Sequence, residues 1–275
     1  MSHDDPIHCG HRLVLTALTG IGILGPGSDL AAETLRALDR QRVVLESGDV
    51  LCVASKLISR LEGRFVDLST VSVSSAALEL ARRTSLEPAV VELVLRESAE
   101  VSRVAKGALV VRNRLGVIAG NAGVDLSNAV PPEASSGAGP FALLLPEDPD
   151  RSAAALRDAL ERATRTALGV VVTDSVGRPF RLGSVGIAIG VSGLPPLFDQ
   201  RGRVDLFGKN LEHTMTALAD QVAAAADLVA GQAAEGRCIV HVRGLRFTAR
   251  EATARDLLRP PDQDLYAGPG GGRSA

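Results

Sequence analysis

At 275 residues and 45% hydrophobic, the chain can bury a sizeable core as one large or two small units, which excludes a disordered protein. Lys and Arg number 30 against 32 acidic residues, so no net basic field draws it to nucleic acid or to anionic membranes. Aromatic residues are only 3%, with no Trp, which removes the stacking platforms that single-strand binders use.

Residues 1–11 hold Asp4, Asp5, Pro6 and the histidines His3, His8 and His11, and read as a flexible leader. They lack the basic start and apolar stretch of a secretion signal. The folded domain is expected over 12–260, with room for two lobes. Leu13 to Leu18 reads as a strand ending at Thr19-Gly20, and Ser28 and Asp29 then offer N-caps for a helix to Leu38. Ser47-Gly48-Asp49 turns into an apolar strand, Val50 to Ala54. Ser75 to Arg83 and Pro88 to Arg96 carry helical spacing, with Pro88 suited to a first turn. Two short strands, Leu109 to Val111 and Gly116 to Ala119, precede a Pro-, Ser- and Gly-rich loop over 131–140. Phe141 to Leu145 is a strand, Ser152 to Leu168 an amphipathic helix, Val170 to Thr173 a buried strand and Val185 to Val191 another. Leu211 to Ala233 predicts a long Ala-rich helix, Ile239 to Val242 a strand and Arg250 to Leu258 a last helix. Residues 261–275 form a Gly-rich tail expected to be disordered. Strands and helices mix without strict β–α–β alternation, so the fold class is α+β. Cys9, Cys52 and Cys238 show no Cys-x-x-Cys spacing, which speaks against a disulfide framework or structural zinc and for a reducing cytoplasm. No run of about 18 apolar residues occurs, so no membrane span is expected.

Chemistry concentrates in a few segments. The Val170 strand runs into Asp174 and Ser175, then a Gly177-Arg178-Pro179 turn and Arg181. A carboxylate and a hydroxyl at a strand's end suit a hard cation that shares its ligands with phosphates, and guanidinium groups pair with phosphate. The same residues would also serve a solvated loop with an Asp-capped turn. Gly20 to Gly27 lies between a strand and a helix, where a phosphate cradle would sit. However, Pro26 interrupts the Gly-x-Gly-x-x-Gly spacing and no Gly-Lys-Ser/Thr closes the segment. Ser55 is followed by Lys56, Arg60 and Arg64, which recur every fourth residue; on a helix they share one face, fit for a triphosphate or simply solvated. Asn121 to Asn128 offers Asp125 as a second metal carboxylate, or an Asx-type turn. Gln232 and Glu235 stand one turn apart where a helix presents its negative end, beside Gly236 as a C-cap. Asp205-Leu206-Phe207-Gly208 has neither a His-Arg-Asp loop nor a Val-Ala-Ile-Lys strand beside it, which excludes a protein kinase. His213 and His241 lack a nucleophile partner and read as structural.

Taken together, these segments resemble the coenzyme F-420:L-glutamate ligase family, the gamma-glutamyl ligases of deazaflavin coenzyme biosynthesis. The resemblance covers nearly the whole chain. It is carried by Gly48 to Lys56, Glu62-Gly63-Arg64, Arg96-Glu97-Ser98, Asn121 to Asn128, Leu144 to Asp150, Thr173 to Pro179, Asp205 to Gly208, Gly231 to Gly236 and Leu258-Arg259-Pro260. It implies a mixed-sheet α+β fold of that family's type and an intertwined homodimer. It also implies a GTP-dependent ligase that phosphorylates the terminal carboxylate of the coenzyme precursor and lets the amine of L-glutamate attack the acyl phosphate, with gamma-linked additions beyond the first also open. Two divalent ions, Mg²⁺ or Mn²⁺, are implied, with K⁺ as a further ion. The implied metal positions fall on Asp125, Asp174, Ser175 and Gln232. The implied GTP positions fall on Thr19, Gly20, Ile21, Gly22, Ser55, Lys56, Arg60, Asn128, Val229, Ala230, Gly231, Gln232, Ala233, Ala234, Glu235 and Gly236. Arg178, with Asp125 and Asp174 in the catalytic set, and Glu235 are added from charge and position. Gly22 stands where the family usually has Pro, and Arg60 where Lys is common, so phosphate geometry could differ there. The flavin-binding domain that some relatives carry after this unit is not expected here. The alternatives are a small-molecule phosphotransferase and a non-catalytic GTP- or deazaflavin-binding protein.

Overall fold

The computed structural model describes residues 7–134, 139–260 and 263. In chain order its elements are β1 (Ile7–Ala17), α1 (Leu30–Arg40), β2 (Val50–Ala54), α2 (Ser55–Leu61), β3 (Phe65–Asp67), α3 (Ser75–Thr84), α4 (Pro88–Arg96), β4 (Ser98–Ala105) and β5 (Ala108–Asn113). There follow β6 (Ile118–Gly120), β7 (Phe141–Leu143), α5 (Pro149–Thr164), β8 (Gly169–Arg178), β9 (Arg181–Ser192), β10 (Leu197–Asp199), β11 (Met215–Ala217), α6 (Leu218–Ala230) and β12 (Ile239–Phe247).

The main sheet has the order β1-β12-β2-β8-β9, in which only β2 and β8 run parallel. Parallel strands covered on both faces read as unbroken apolar runs, and Val50–Ala54 does so. Leu51 and Val53 join Val170 and Val172 in a core on the face of α1, α2 and α5. Val50, Cys52 and Val171 join a second core under α6. Gly186 of β9 makes that packing close, because a Cβ there would meet the Ala223 carbonyl oxygen at 2.8 Å. A third core is built by α3, α4, β5 and β7, from Ala77, Val91, Val94, Leu109, Val111 and Ala142. The architecture is α+β with a mixed sheet.

Several expectations shift for identifiable reasons. β1 starts at Ile7, so the leader expected over 1–11 enters the sheet at its far end by pairing with Phe247; residues 1–6 lie outside the described residues. The expected tail over 261–275 lies outside them too, apart from Gln263. α5 begins at Pro149 rather than Ser152, with Asp148 accepting from Arg151 N as its cap. α6 begins at Leu218 rather than Leu211, because Met215–Ala217 pairs with β10 instead. The expected last helix shrinks to a 3₁₀ turn, Ala254–Leu257, whose first amide is taken by the Asp150 carboxylate. β4 gave no signal because its residues are mostly exposed and hold no alternating apolar face. Asp174 and Ser175 do not sit at a strand end as expected: β8 continues through them to Arg178 and turns directly into β9.

Candidate active site

The parallel pairing of β2 with β8 places Ala54 beside Thr173. The next residue on each strand is therefore Ser55 and Asp174, and they meet: Ser55 Oγ donates to Asp174 Oδ1 at 3.0 Å. Ser55 also opens α2, so Lys56 projects one step further. Its Nζ lies 2.6 Å from Asp125 Oδ2 and donates to Ser127 Oγ at 2.7 Å. The Asp125 loop is anchored by two backbone hydrogen bonds with Leu143 of β7, and Asp125 Oδ1 accepts from Ser127 N at 2.7 Å. Residues 69 and 119 positions apart in sequence thus converge where β2 and β8 reach α2.

The two carboxylates differ in state. Burial pushes Asp174 above the ordinary carboxylate range, and the charge of Asp125 adds to this; the Ser55 hydroxyl, the Ser175 amide and Lys56 oppose it without prevailing. For Asp125, burial acts in the same direction, but the Lys56 ammonium and the Ser127 bonds outweigh it and hold the group below its usual value. Carboxylates whose surroundings push them apart in this way cluster at functional sites.

The other sequence candidates fall into separate places. Alternation along β8 directs Ser175 to the face opposite Asp174, where its cross-strand partner Gly186 lies against Ala223 and Asp227 of α6. At the end of that helix Gln232 Nε2 donates to Asp227 Oδ1, and Glu235 folds back to accept from Ala233 N at 2.8 Å. Val229 and Ala230 close α6, Gly231 is its C-cap, and Ala234 and Gly236 continue the exposed loop. Among the described residues no hydrogen bond joins this group to Asp125 or Asp174. Arg178 is four residues beyond Asp174, about 13 Å along a strand, and donates to Leu182 O at 3.2 Å within the hairpin. In the loop after β1, Arg40 donates to Gly20 O at 2.9 Å and reaches Thr19 O at 3.5 Å, Ile21 packs on the core, and Gly22 is exposed. Arg60 donates to the carbonyls of Leu24, Asn128 and Val130. Arg64 does not share the Lys56 face, because α2 ends at Leu61; it pairs with Glu97 and Glu147. Ser127 and Asp227 were missed. Ser127 carries the Asp-x-Ser signature of an Asx turn, which could have revealed it, whereas Asp227 looks in sequence like any polar helix residue.

The sequence profile described as F420-0:Gamma-glutamyl ligase matches residues 20–244. The chain belongs to this family. Among its relatives is the coenzyme F420:L-glutamate ligase of Methanothermobacter thermautotrophicus, 39% identical over 92% of this chain and 98% of the relative. Those of Methanopyrus kandleri and Methanocaldococcus jannaschii are 43% and 40% identical, over 88% and 81% of this chain and 92% and 86% of each relative. For a gamma-glutamyl ligase family member, the donors at the carboxylate pair are hard oxygens, the set that Mg²⁺ or Mn²⁺ takes. Among the described residues no three His, Cys, Asp or Glu side chains are arranged to hold a metal ion by themselves. Two carboxylates suffice for an ion that draws its remaining ligands from substrate phosphates and water. No helix of the described residues is long and apolar enough to cross a membrane.

Proposed function

We propose that this protein joins L-glutamate to the terminal carboxylate of the deazaflavin coenzyme precursor in a GTP-dependent reaction, with further gamma-linked additions open to it. The observation that carries this reading is the meeting of Asp125, Asp174, Ser55 and Lys56 in a chain of this family. A precursor carboxylate oxygen attacks the γ-phosphorus of GTP, giving an acyl phosphate and GDP. The glutamate amine then attacks the acyl carbon, forming the amide and releasing phosphate and a proton. Asp125 and Asp174 would hold divalent ions, whose charge would offset that of the phosphates. Lys56 adds a positive charge beside Asp125 for the phosphates, and Ser55 orients the Asp174 carboxylate. The resemblance would give Ser175 and Gln232 to a second ion; both lie toward α6, on the face of β8 opposite Asp174. Arg178, bonded within the β8–β9 hairpin, is not placed by this geometry beside the carboxylate pair, and K⁺ enters only through the resemblance.

The test is incubation with GTP, Mg²⁺ or Mn²⁺, L-glutamate and glutamate-free precursor, read by mass spectrometry. A glutamylated product supports the ligase. A phosphorylated precursor that never becomes an amide supports a phosphotransferase, and nucleotide binding without any product supports a binding protein.

We also propose that two copies form a homodimer in the cytoplasm. Phe180 and Leu182 at the β8–β9 turn, and Leu206 and Phe207 between β10 and β11, are more than nine-tenths exposed, at 94%, 98%, 98% and 94%. Apolar tips of this size favour burial against a partner. Light scattering of F180S/F207S against the unchanged protein tests it, with a shift to monomer expected.

A further inference from the structure

Arg60 occupies a position where resemblance alone suggests a phosphate contact, yet its guanidinium is already engaged. Nε donates to Leu24 O at 3.2 Å, and Nη1 donates to Asn128 O at 2.9 Å and Val130 O at 3.1 Å. Three of its five N–H donors therefore serve carbonyls, and its Cζ rests 5.1 Å from the centre of the Phe65 ring. The acceptors come from two different loops. One follows Thr19 to Gly22; the other follows Asp125. These loops touch, for a Cβ on Gly25 would fall 2.6 Å from Pro132 Cγ. One turn earlier on α2, Lys56 holds the start of the second loop through Asp125 and Ser127. The segment from Asp125 to Val130 is thus fastened along α2 at two rungs, and Arg60 ties it to the first loop through side-chain hydrogen bonds.

We infer that Arg60 is a positioning residue: a clasp that locks the 19–25 loop to the 125–130 loop and so holds the Asp125 carboxylate beside Asp174. The inference rests on the proposed ligase site for its consequence in turnover, but not for the clasp itself. A guanidinium spreads its donors over a rigid fork that reaches carbonyls of two segments at once; a lysine ammonium carries its three donors on one nitrogen and does not reproduce that spread. Arg40 supplies an internal control, because it bonds the first loop only.

The experiment is hydrogen–deuterium exchange on nucleotide-free protein, comparing R60K, R60M and R40M with the unchanged chain. A clasp predicts about tenfold faster exchange in both loops for R60K and R60M alike, and in the first loop alone for R40M. It also predicts that Mn²⁺, titrated alone, binds about tenfold more weakly to R60K. In the ligase assay R60K should lower kcat while leaving KM for GTP within about twofold, since the charge is kept. Exchange near 125–130 that stays unchanged in R60K overturns the clasp. So does a loss confined to KM for GTP, which would make Arg60 a phosphate contact. Should R60M fail to fold, R60K decides alone. Exchange needs no turnover, so a protein without ligase activity would refute the proposed function while leaving the clasp to be judged by its own readout.

Discussion

Two aspartates bracket the parallel pair β2 and β8, and their surroundings are opposites. Asp49 immediately precedes β2. Its carboxylate accepts from Arg243 Nε at 2.9 Å and Nη2 at 2.6 Å and from Glu46 N at 2.8 Å, and His241 Nε2 lies 2.8 Å away. Burial would raise its pKa, but these donors more than offset that and hold it far below the usual range. Asp174 lies past the other end of β2. The Ser55 hydroxyl, the Ser175 amide and the charge of Lys56 support it, but it faces a second carboxylate and is pushed upward. Residue type is shared, and Asp49 is the more deeply buried of the two; the supply of donors differs. A carboxylate saturated with donors is a structural group, whereas an undersupplied one retains lone pairs for a cation or a proton.

The sharpest way to break this contrast is D174N. Turnover should fall on the order of 10³-fold, as when a charge placed for the transition state is removed. Thermal stability should hold or rise, because an underpaired buried charge has been taken away. An enzyme that instead melts much lower and loses activity only in proportion to its folded fraction would make Asp174 a structural residue. D49N should do the reverse. Removing one partner of a buried charge network costs about 3–5 kcal/mol, measurable by denaturant unfolding, while activity per folded molecule stays near that of the unchanged protein.

How much of this was visible in the sequence follows from the range of the interactions involved. Val50–Ala54 and Pro88–Arg96 match their expected bounds because apolar runs and an N-terminal Pro are local signals. The extents of β8 and α6 were misjudged because pairing with β9 and β10 decides them, and that pairing is long-range. Asp125 and Asp174 could be named from residue type and resemblance, but their partnership depends on a strand register that no local pattern shows. Lys56 and Arg60 looked alike at i,i+4. Only the fold reveals that one meets carboxylates and the other carbonyls. Asp49 drew no attention beyond its turn, because Arg243 and His241 lie 194 and 192 positions away in the chain.

A milder change sharpens the comparison. S55A removes the hydroxyl that donates to Asp174 and should move that carboxylate still higher. Activity at neutral pH should fall about tenfold, the worth of one hydrogen bond to a charged group. The acid limb of the pH–rate profile should move to higher pH. If the acid limb stays in place, the Ser55 bond does not control the protonation of Asp174.

The smallest effect concerns stability against pH, and its sign separates the two aspartates. Asp174 has a folded pKa raised above its ordinary 3.8. Between that raised value and 3.8 the folded form binds the proton more readily than the unfolded chain, so this residue's contribution grows as pH falls through that window. Asp49 has a depressed folded pKa; its contribution is complete above 3.8 and is lost only below it, as pH falls toward the folded value. The windows therefore lie on either side of 3.8 and do not overlap. Asp150 and Asp220 are also pushed up by burial, so the slope of the unchanged protein mixes several groups. Subtracting a variant isolates one. The unfolding free energy of the unchanged protein minus that of D174N should increase from pH 7 to pH 4, whereas the difference against D49N should stay level. A flat difference for D174N would mean that its carboxylate is no harder to ionise in the fold than in water. The contrast between the two ends of β2 would then have no electrostatic basis.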